Sequence, residues 1–441
     1  MSSTNTAPVT LEMILDRANL NRAYRQVVSN KGAPGVDDMK VDELEGYCRA
    51  HPYQISTSVA NGTYRPQPIL RVYIPKDNGE QRPLGIPTVR DRFVQQAVAQ
   101  VLSDTYEPVF SDNSFGFRPG RGCQDAIARA TEYANSGLEW VIDLDLAKFF
   151  DTVNHSRLLQ LLSDRIADGR VISLIHKFLR APVCEDGKVG AKTKMGTPQG
   201  GCISPVLANI LLNELDTLLD GRNVKFVRYA DDMVVFCGSR KAAERILGHI
   251  KNFVEKKLFL KVNETKTKIV QVSKEVQFLG YAFTRWVSAA RQRENPQCKW
   301  YPTVHEKKQA KLRTALKEIL DRKAPGGIEK AKRKLELKLR GWCNYFKGCI
   351  PIGWMKDTDQ WIRRRIRQMY WKQWKKRQNR YEQFKRRWPD APALNEYAYS
   401  TNSYWRMAKT PEIHKALSNK QLAKEGWVWI EMFEGQRCAS R

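Results

Sequence analysis

Apolar positions recur at helical spacing over residues 10–30, where Leu11, Ile14, Leu15, Val27 and Val28 predict an amphipathic helix. The stretch KGAPGVDD at 31–38 breaks that pattern as a loop. Residues 69–87 show two extended apolar segments around KDNGEQR, whose Asn78-Gly79 pair signals a hairpin turn. Helical spacing returns from Asp91 to about Tyr106, and SFGFRPGRG at 114–122 is a Gly/Arg loop leading into another helix. WVIDLDLAKFFDTVNH at 140–155 starts as a strand, with Val141, Asp143 and Asp145 on one face and Ile142, Leu144 and Leu146 on the other. Helices are expected over 156–180, and the turn GTPQGG at 196–201 launches a strongly apolar helix to residue 220. FVRYADDMVVFCG at 226–238 reads as two strands around a tight charged turn. A helix at about 240–257 and strands near 268–272 and 278–283 complete this half.

After about Arg285 the pattern changes. Residues 286–304 read as a polar linker, and from 305 the spacing is helical and basic. The segment 361–388 holds twelve Lys and Arg against one acidic residue, with Trp361, Trp371, Trp374 and Trp388 interleaved. Ile362, Ile366, Met369 and Tyr370 mark a stripe that faces a core, leaving the other face basic. Trp361 and Trp342 are expected in that core, while Trp374 divides evenly between core and base-stacking roles. A short mixed segment, 390–441, follows the helix-breaking RRWPDAP.

Composition sharpens this division. A chain of 441 residues holds two to four domains at roughly 100–200 residues each. Lys and Arg number 75 against 47 Asp and Glu, a formal net charge of +28. Such a clustered surplus points to a polyanionic partner, nucleic acid first. The nine cysteines form no C-x-x-C pair, which excludes zinc-ribbon and zinc-finger readings and suits free thiols in a reducing cytosol. No signal-peptide core is seen, and no apolar run approaches the ~20 residues of a membrane helix. The expectation is a soluble intracellular protein without a membrane partner.

Three carboxylates carry candidate chemistry: Asp145, Asp231 and Asp232. Adjacent acids in apolar surroundings raise one another's pKa, and a divalent metal removes that penalty. A third carboxylate on a neighbouring strand suits two metals about 4 Å apart, the arrangement of in-line phosphoryl transfer. An Asp-Asp pair by itself is common and reads more readily as a polar hairpin tip beside an unrelated strand-end Asp.

The neighbouring blocks carry a resemblance. YADD at 229–232, DLDLAKFFDTVNH at 143–155 and GTPQGGCISPVLANILLNELD at 196–216 resemble the active-site blocks of reverse transcriptases. IPKDNGEQRPLGIPTVRDRFVQQAV and SFGFRPGRG resemble the fingers of the group II intron-encoded class, and VNETKTKI and FLGYAF resemble its next two blocks. LRGWCNYFK at 339–347 and YWRMAKTPEIHKALSN at 404–419 resemble its maturase region.

The resemblance implies an α+β right-hand polymerase. Residues 1–60 would be an N-terminal extension lying along the template, and 61–300 fingers and palm with an antiparallel palm sheet. Residues 301–388 would be an α-helical thumb or maturase domain, and 389–441 a small DNA-binding domain. It implies two Mg²⁺ ions on Asp145, Asp231, Asp232 and the Leu146 carbonyl, and a dNTP met by Lys76, Arg82 and Gln199. Phe149 is the expected steric gate against a ribose 2′-hydroxyl, with Phe150 competing. Lys266 is placed to protonate pyrophosphate, with Lys268 close by. Arg118 and Arg121 are expected on the template, Leu279 and Gly280 at the primer, and Arg363, Arg364 and Arg365 on a phosphate track. Arg228 either packs as structure or touches the primer.

The implied partners are a structured intron RNA, an RNA template with its DNA primer, and target DNA, with a homodimer allowed. The implied setting is a bacterial cytoplasm. The Cys-pair and His-Asn-His endonuclease cluster of many relatives is not seen, so second-strand cutting is not expected. Two other readings stand beside this one. The chain is mainly an RNA-binding splicing maturase, or it is a domesticated polymerase of DNA repair or phage defence.

Overall fold

The computed structural model describes residues 9–75, 79–273, 275–287, 292–293, 296–323, 325–392 and 394–435. They form two compact units, one running to Val272 and the other starting at Ser273. Among the described residues no helix is long and apolar enough to cross a membrane.

In the first unit, the helix expected over 10–30 is two helices, Leu11–Leu15 and Arg17–Ser29. Asp16 makes the break, because its carboxylate accepts from the amides of Ala18 (2.8 Å) and Asn19 (3.2 Å) and so starts a new helix. Asp168 caps the helix Gly169–Leu179 and also accepts from the Leu11 amide at 2.9 Å. The stretch 156–180 is likewise split, into His155–Ser163 and Gly169–Leu179.

Strands β1 (Ile69–Pro75) and β2 (Gln81–Ile86) form the expected hairpin, with Ile74 opposite Arg82. Strand β3 is Trp140–Leu144. A small hairpin absent from the sequence reading, β4 (Val183–Glu185) with β5 (Lys188–Val189), joins the first in the order β2-β1-β4-β5. Strands β6 (Lys225–Tyr229), β7 (Asp232–Cys237) and β8 (Lys268–Gln271) complete an antiparallel sheet with β3, in the order β6-β7-β3-β8. Its period-2 alternation buries Val141 and Phe236 on one face and Ile142 and Val235 on the other. The helices Ser204–Asp220 and Arg240–Lys257 pack against this sheet, and one continuous core runs from Val9 to Val262.

The second unit opens with a hairpin, β9 (Tyr281–Thr284) and β10 (Tyr301–Val304). This corrects the linker reading of 286–304 at its end. Tyr301, Thr303 and Val304 are β-formers that pair with Thr284, Ala282 and Tyr281. Helices Glu306–Ile319, Gly327–Tyr345, Ile352–Gln373 and Arg377–Arg387 follow, so the basic run 361–388 is divided at Trp374. Trp371 and Trp374 are buried, which settles Trp374 as core. Trp342 and Trp361 are half-buried. Buried Asp359 accepts from the amides of Ile430 (2.8 Å) and Glu431 (2.9 Å), pinning the final helix Ile430–Gly435.

Candidate active site

Two chain reversals bring the carboxylates to one end of the β6-β7-β3-β8 sheet. Strand β3 ends at Leu144, and the chain leaves it through Asp145 and Leu146. Strands β6 and β7 are joined by Ala230 and Asp231 alone, with Tyr229 paired to Asp232 and Ala230 held at φ 59°. The Asp145 carbonyl accepts from the Asn263 amide at 2.8 Å, and the Ala147 amide donates to the Lys261 carbonyl at 2.8 Å. Those two bonds bypass the Leu146 carbonyl.

The charges are only partly offset in place, by Lys266 at Asp145. Burial first, then the negative charge of Asp145, pushes the Asp231 carboxyl up, while Arg82 and Arg228 oppose it. The Asp232 carboxyl is pushed up to about 6, by loss of solvent in the crowded turn and then by Asp231, Asp145 and Asp143. By accessible area the Asp232 side chain is nonetheless exposed at the start of β7, so water screens part of that crowding. Among the described residues, no three His, Cys, Asp or Glu side chains close into a ready-made metal nest. The donor set nonetheless fits a divalent cation: hard carboxylate oxygens under repulsion, of the kind such ions take together with substrate phosphates and water.

Of the two lysines weighed for proton transfer, Lys266 reaches Asp145 Oδ2 at 3.4 Å, whereas Lys268 lies 3.8 Å from Asp143. Arg82 is exposed on β2, and Lys76 falls outside the described residues.

Phe149 is not where the sequence reading put it. It is 2% exposed and packs in the core, its ring edge-on to Phe150 at 5.1 Å. Strand alternation fails there because the left-handed Lys148 (φ 46°) turns the chain into a short helix, Phe149–Thr152. Phe150 instead lines a cavity of about 240 Å³ with Arg71, Pro83, Thr197 and Gln199. Gln199 is brought there by hydrogen bonds from the Thr197 amide to the Phe150 carbonyl (2.7 Å) and from the Gly85 amide to its own carbonyl (2.8 Å). A Cβ on Gly200, at φ 122°, would sit 2.5 Å from the Gly85 carbonyl, so this close approach requires glycine. Gln199 Oε1 and Arg71 Nε are buried there without a hydrogen-bond partner.

Arg118 is also corrected. Its buried guanidinium pairs with Glu107 at 2.8 Å and donates to the carbonyls of Ser111 (2.5 Å) and Ser114 (2.7 Å), which leaves nothing for a template. Arg121, a quarter exposed, pairs with Asp112 at 2.8 Å and lies over the Phe115 ring. Arg228 packs as structure. It is 1% exposed and holds Asp216 through Nε (2.8 Å), while Nη1 donates to Asn209 Oδ1 (2.9 Å) and the Ala230 carbonyl (3.0 Å). Burial pushes the Asp216 carboxyl up, and Arg228 opposes that shift. The sequence held a signal for this trio. Asn209 and Asp216 stand seven apart, on one face of a strongly apolar helix, and buried polar groups require partners.

Leu279 and Gly280 belong to the second unit, in a left-handed turn at φ 52° and 83°. Their carbonyls accept from the Tyr345 hydroxyl (2.9 Å) and the His305 amide (3.0 Å). Arg363, Arg364 and Arg365 are half-buried on the helix Ile352–Gln373. Arg363 lies over Trp429 and Arg365 over Trp361, and Arg365 donates to the Lys317 carbonyl at 3.0 Å.

Residues 74–283 match a family model described as reverse transcriptase (RNA-dependent DNA polymerase), and residues 309–388 match one described as group II intron, maturase-specific domain. The chain is 34% identical over 326 residues to the Group II intron-encoded protein LtrA of Lactococcus lactis subsp. cremoris, across 59% of this chain and 54% of that protein. It is 35% identical over 315 residues to Protein YkfC of Escherichia coli (strain K12), across 62% of this chain and 82% of that one. It is 29% identical over 328 residues to the Putative COX1/OXI3 intron 2 protein of Saccharomyces cerevisiae, across 62% and 38%. The chain thus spans about half the length of the LtrA relative that it matches. The first match implies a right-hand polymerase fold, with which the mixed helices and antiparallel sheets agree, and a family chemistry that uses divalent metal ions.

Proposed function

The chain belongs to the family of group II intron-encoded reverse transcriptases with a maturase domain, and from that membership we propose that it copies RNA into DNA and binds a structured intron RNA whose splicing and mobility it assists. The observation that carries the polymerase half is the convergence of Asp145, at the end of β3, with Asp231 and Asp232, at the β6-β7 turn, on one end of the antiparallel sheet, where burial and then Asp145 push the Asp231 carboxyl up. Those three side chains and the Leu146 carbonyl would hold two Mg²⁺ ions, which supply activation of the primer 3′-hydroxyl and neutralisation of the leaving oxygen.

The chain's own residues do the rest. Arg82 on β2, together with Lys76, draws the triphosphate to the mouth of the site. Lys266, which contacts Asp145, gives a proton to the departing pyrophosphate. Phe150, rather than Phe149, stands where a 2′-hydroxyl would arrive, and Gln199 offers the incoming nucleotide its unpartnered Oε1. We read residues 1–60 as the N-terminal extension, 61–300 as fingers and palm, 301–388 as thumb and maturase domain, and 389–441 as a DNA-binding segment. Support for RNA binding comes from the maturase-specific match and from exposed lysines, Lys330, Lys334 and Lys338, along one helix.

Asp231→Ala tests the reading. Extension of a DNA primer on an RNA template with Mg²⁺ is expected to vanish while RNA binding is retained. Equal extension by variant and wild type would sink it.

A further inference from the structure

The helix Ser204–Asp220 touches both ends of the site. It begins just beyond the turn that carries Gln199, and its buried Asn209 and Asp216 both bind Arg228, three residues before Asp231. Arg228 in turn donates to the carbonyl of Ala230, the residue between the strand and the acidic pair. A second brace closes from the other side. Asn209 Nδ2 donates to the Gly116 carbonyl at 2.8 Å, and the Phe115 amide donates to the Arg228 carbonyl at 2.9 Å. Gly116 lies so close that an added Cβ would sit 2.3 Å from the Ala230 nitrogen.

We propose that Arg228, anchored by Asp216 and Asn209, is a positioning residue that fixes the Ala230–Asp231 turn so that the carboxylates meet metal at a set distance from the nucleotide turn. The inference rests on the polymerase reading and adds to it a rigid link between its two halves. A left-handed Ala230 is intrinsically unfavourable by about 1–2 kcal/mol, so the turn needs an outside constraint to persist. The guanidinium supplies it. Its fork reaches the carboxylate, the amide oxygen and the backbone carbonyl at once, which a lysine ammonium at the same depth cannot do. Groups that orient metal ligands from behind act on affinity and rate without touching the metal.

The test compares wild type with Arg228→Lys and with Asn209→Ala, which leaves the Arg228–Asp216 pair intact. Assays run below each variant's melting temperature and count only active molecules, titrated by burst amplitude. For Arg228→Lys, kcat in primer extension is expected to fall, and the Mg²⁺ concentration for half-maximal rate to rise, each ~10- to 100-fold, with the dNTP KM nearly unchanged. Asn209→Ala should move both in the same direction by a smaller factor. Mn²⁺ binding followed by electron paramagnetic resonance, without substrate, should weaken in parallel. Lower melting temperatures with wild-type kcat per active molecule and wild-type Mn²⁺ affinity would overturn the proposal. A wild-type chain that extends no primer would overturn the polymerase reading instead, and the Mn²⁺ measurement would then decide the positioning role by itself.

Discussion

The Asp231–Asp232 turn and the Arg363–Arg365 run are both knots of like charge, and the protein treats them in opposite ways. In the second unit two of the three arginines are taken up by their surroundings. Arg363 lies over Trp429, and Arg365 lies over Trp361 while its guanidinium meets the last turn of the helix Glu306–Ile319, where carbonyls favour a cation. In the first unit the acids are left to repel one another, and their carboxyls rise. Like charge absorbed by its surroundings reads as scaffold. Like charge held together with only one lysine, Lys266, against it reads as a place kept for a counter-ion.

Breaking the acidic knot should have the largest effect. Asp232→Asn is expected to lower primer extension ~10³-fold or more, while raising the melting temperature of the metal-free chain because a repelled charge is gone. A variant that loses activity and stability together would mean that the turn is scaffold after all. Removing an absorbed charge should do the reverse. Arg118→Ala leaves the Ser111 and Ser114 carbonyls without that donor and Glu107 with Arg121 alone, and is expected to destabilise the first unit by about 1–3 kcal/mol in denaturant melts.

The contrast sharpens further in RNA binding. Changing exposed Lys330, Lys334 and Lys338 together to Gln should flatten the plot of log affinity against log salt by ~2. The same change at Arg363, Arg364 and Arg365 should lower the melting temperature and move that slope less. The smallest expected effect is a pH slope. The Asp232 carboxyl rises from an ordinary value near 3.8 to about 6, so the folded state binds its proton more tightly than the unfolded chain does. Its stabilisation is complete below the unfolded value and is lost as pH rises through the folded one. Metal-free protein should therefore melt higher at pH 5 than at pH 7.5, and Asp232→Asn should reduce the difference. Asp359, also raised to about 6, would supply the slope that remains.

What could be read from the sequence follows the range of the forces involved. Strand alternation and turn residues are local, so the hairpin at 69–86 and the two strands around the acidic turn are legible. The acids stand out because isolated charge in an apolar run demands a reason. Phe149 and Phe150 are not separable, because one left-handed lysine rotates both rings. Arg118 reads as a nucleic-acid contact until Glu107, eleven residues earlier, takes it. The trio of Asn209, Asp216 and Arg228 was signalled only by polar residues on an apolar helix, and the partner that satisfies them lies in another element.

The order of strands in the catalytic sheet also bears on how the chain is made. Strand β3 sits between β7 and β8, both of which are synthesised long after it. From the moment Trp140–Leu144 leaves the ribosome, on the order of ten seconds pass before Gln271 follows. For most of that interval, until Asp232–Cys237 emerges, Val141 and Ile142 have no strand to pair with and Asp145 has no companions, and the β8 side of β3 stays open to the end. The nascent polymerase half is thus an open sheet edge awaiting completion, and a chain truncated before β8 is expected to enlist chaperones or aggregate rather than persist as a partial enzyme.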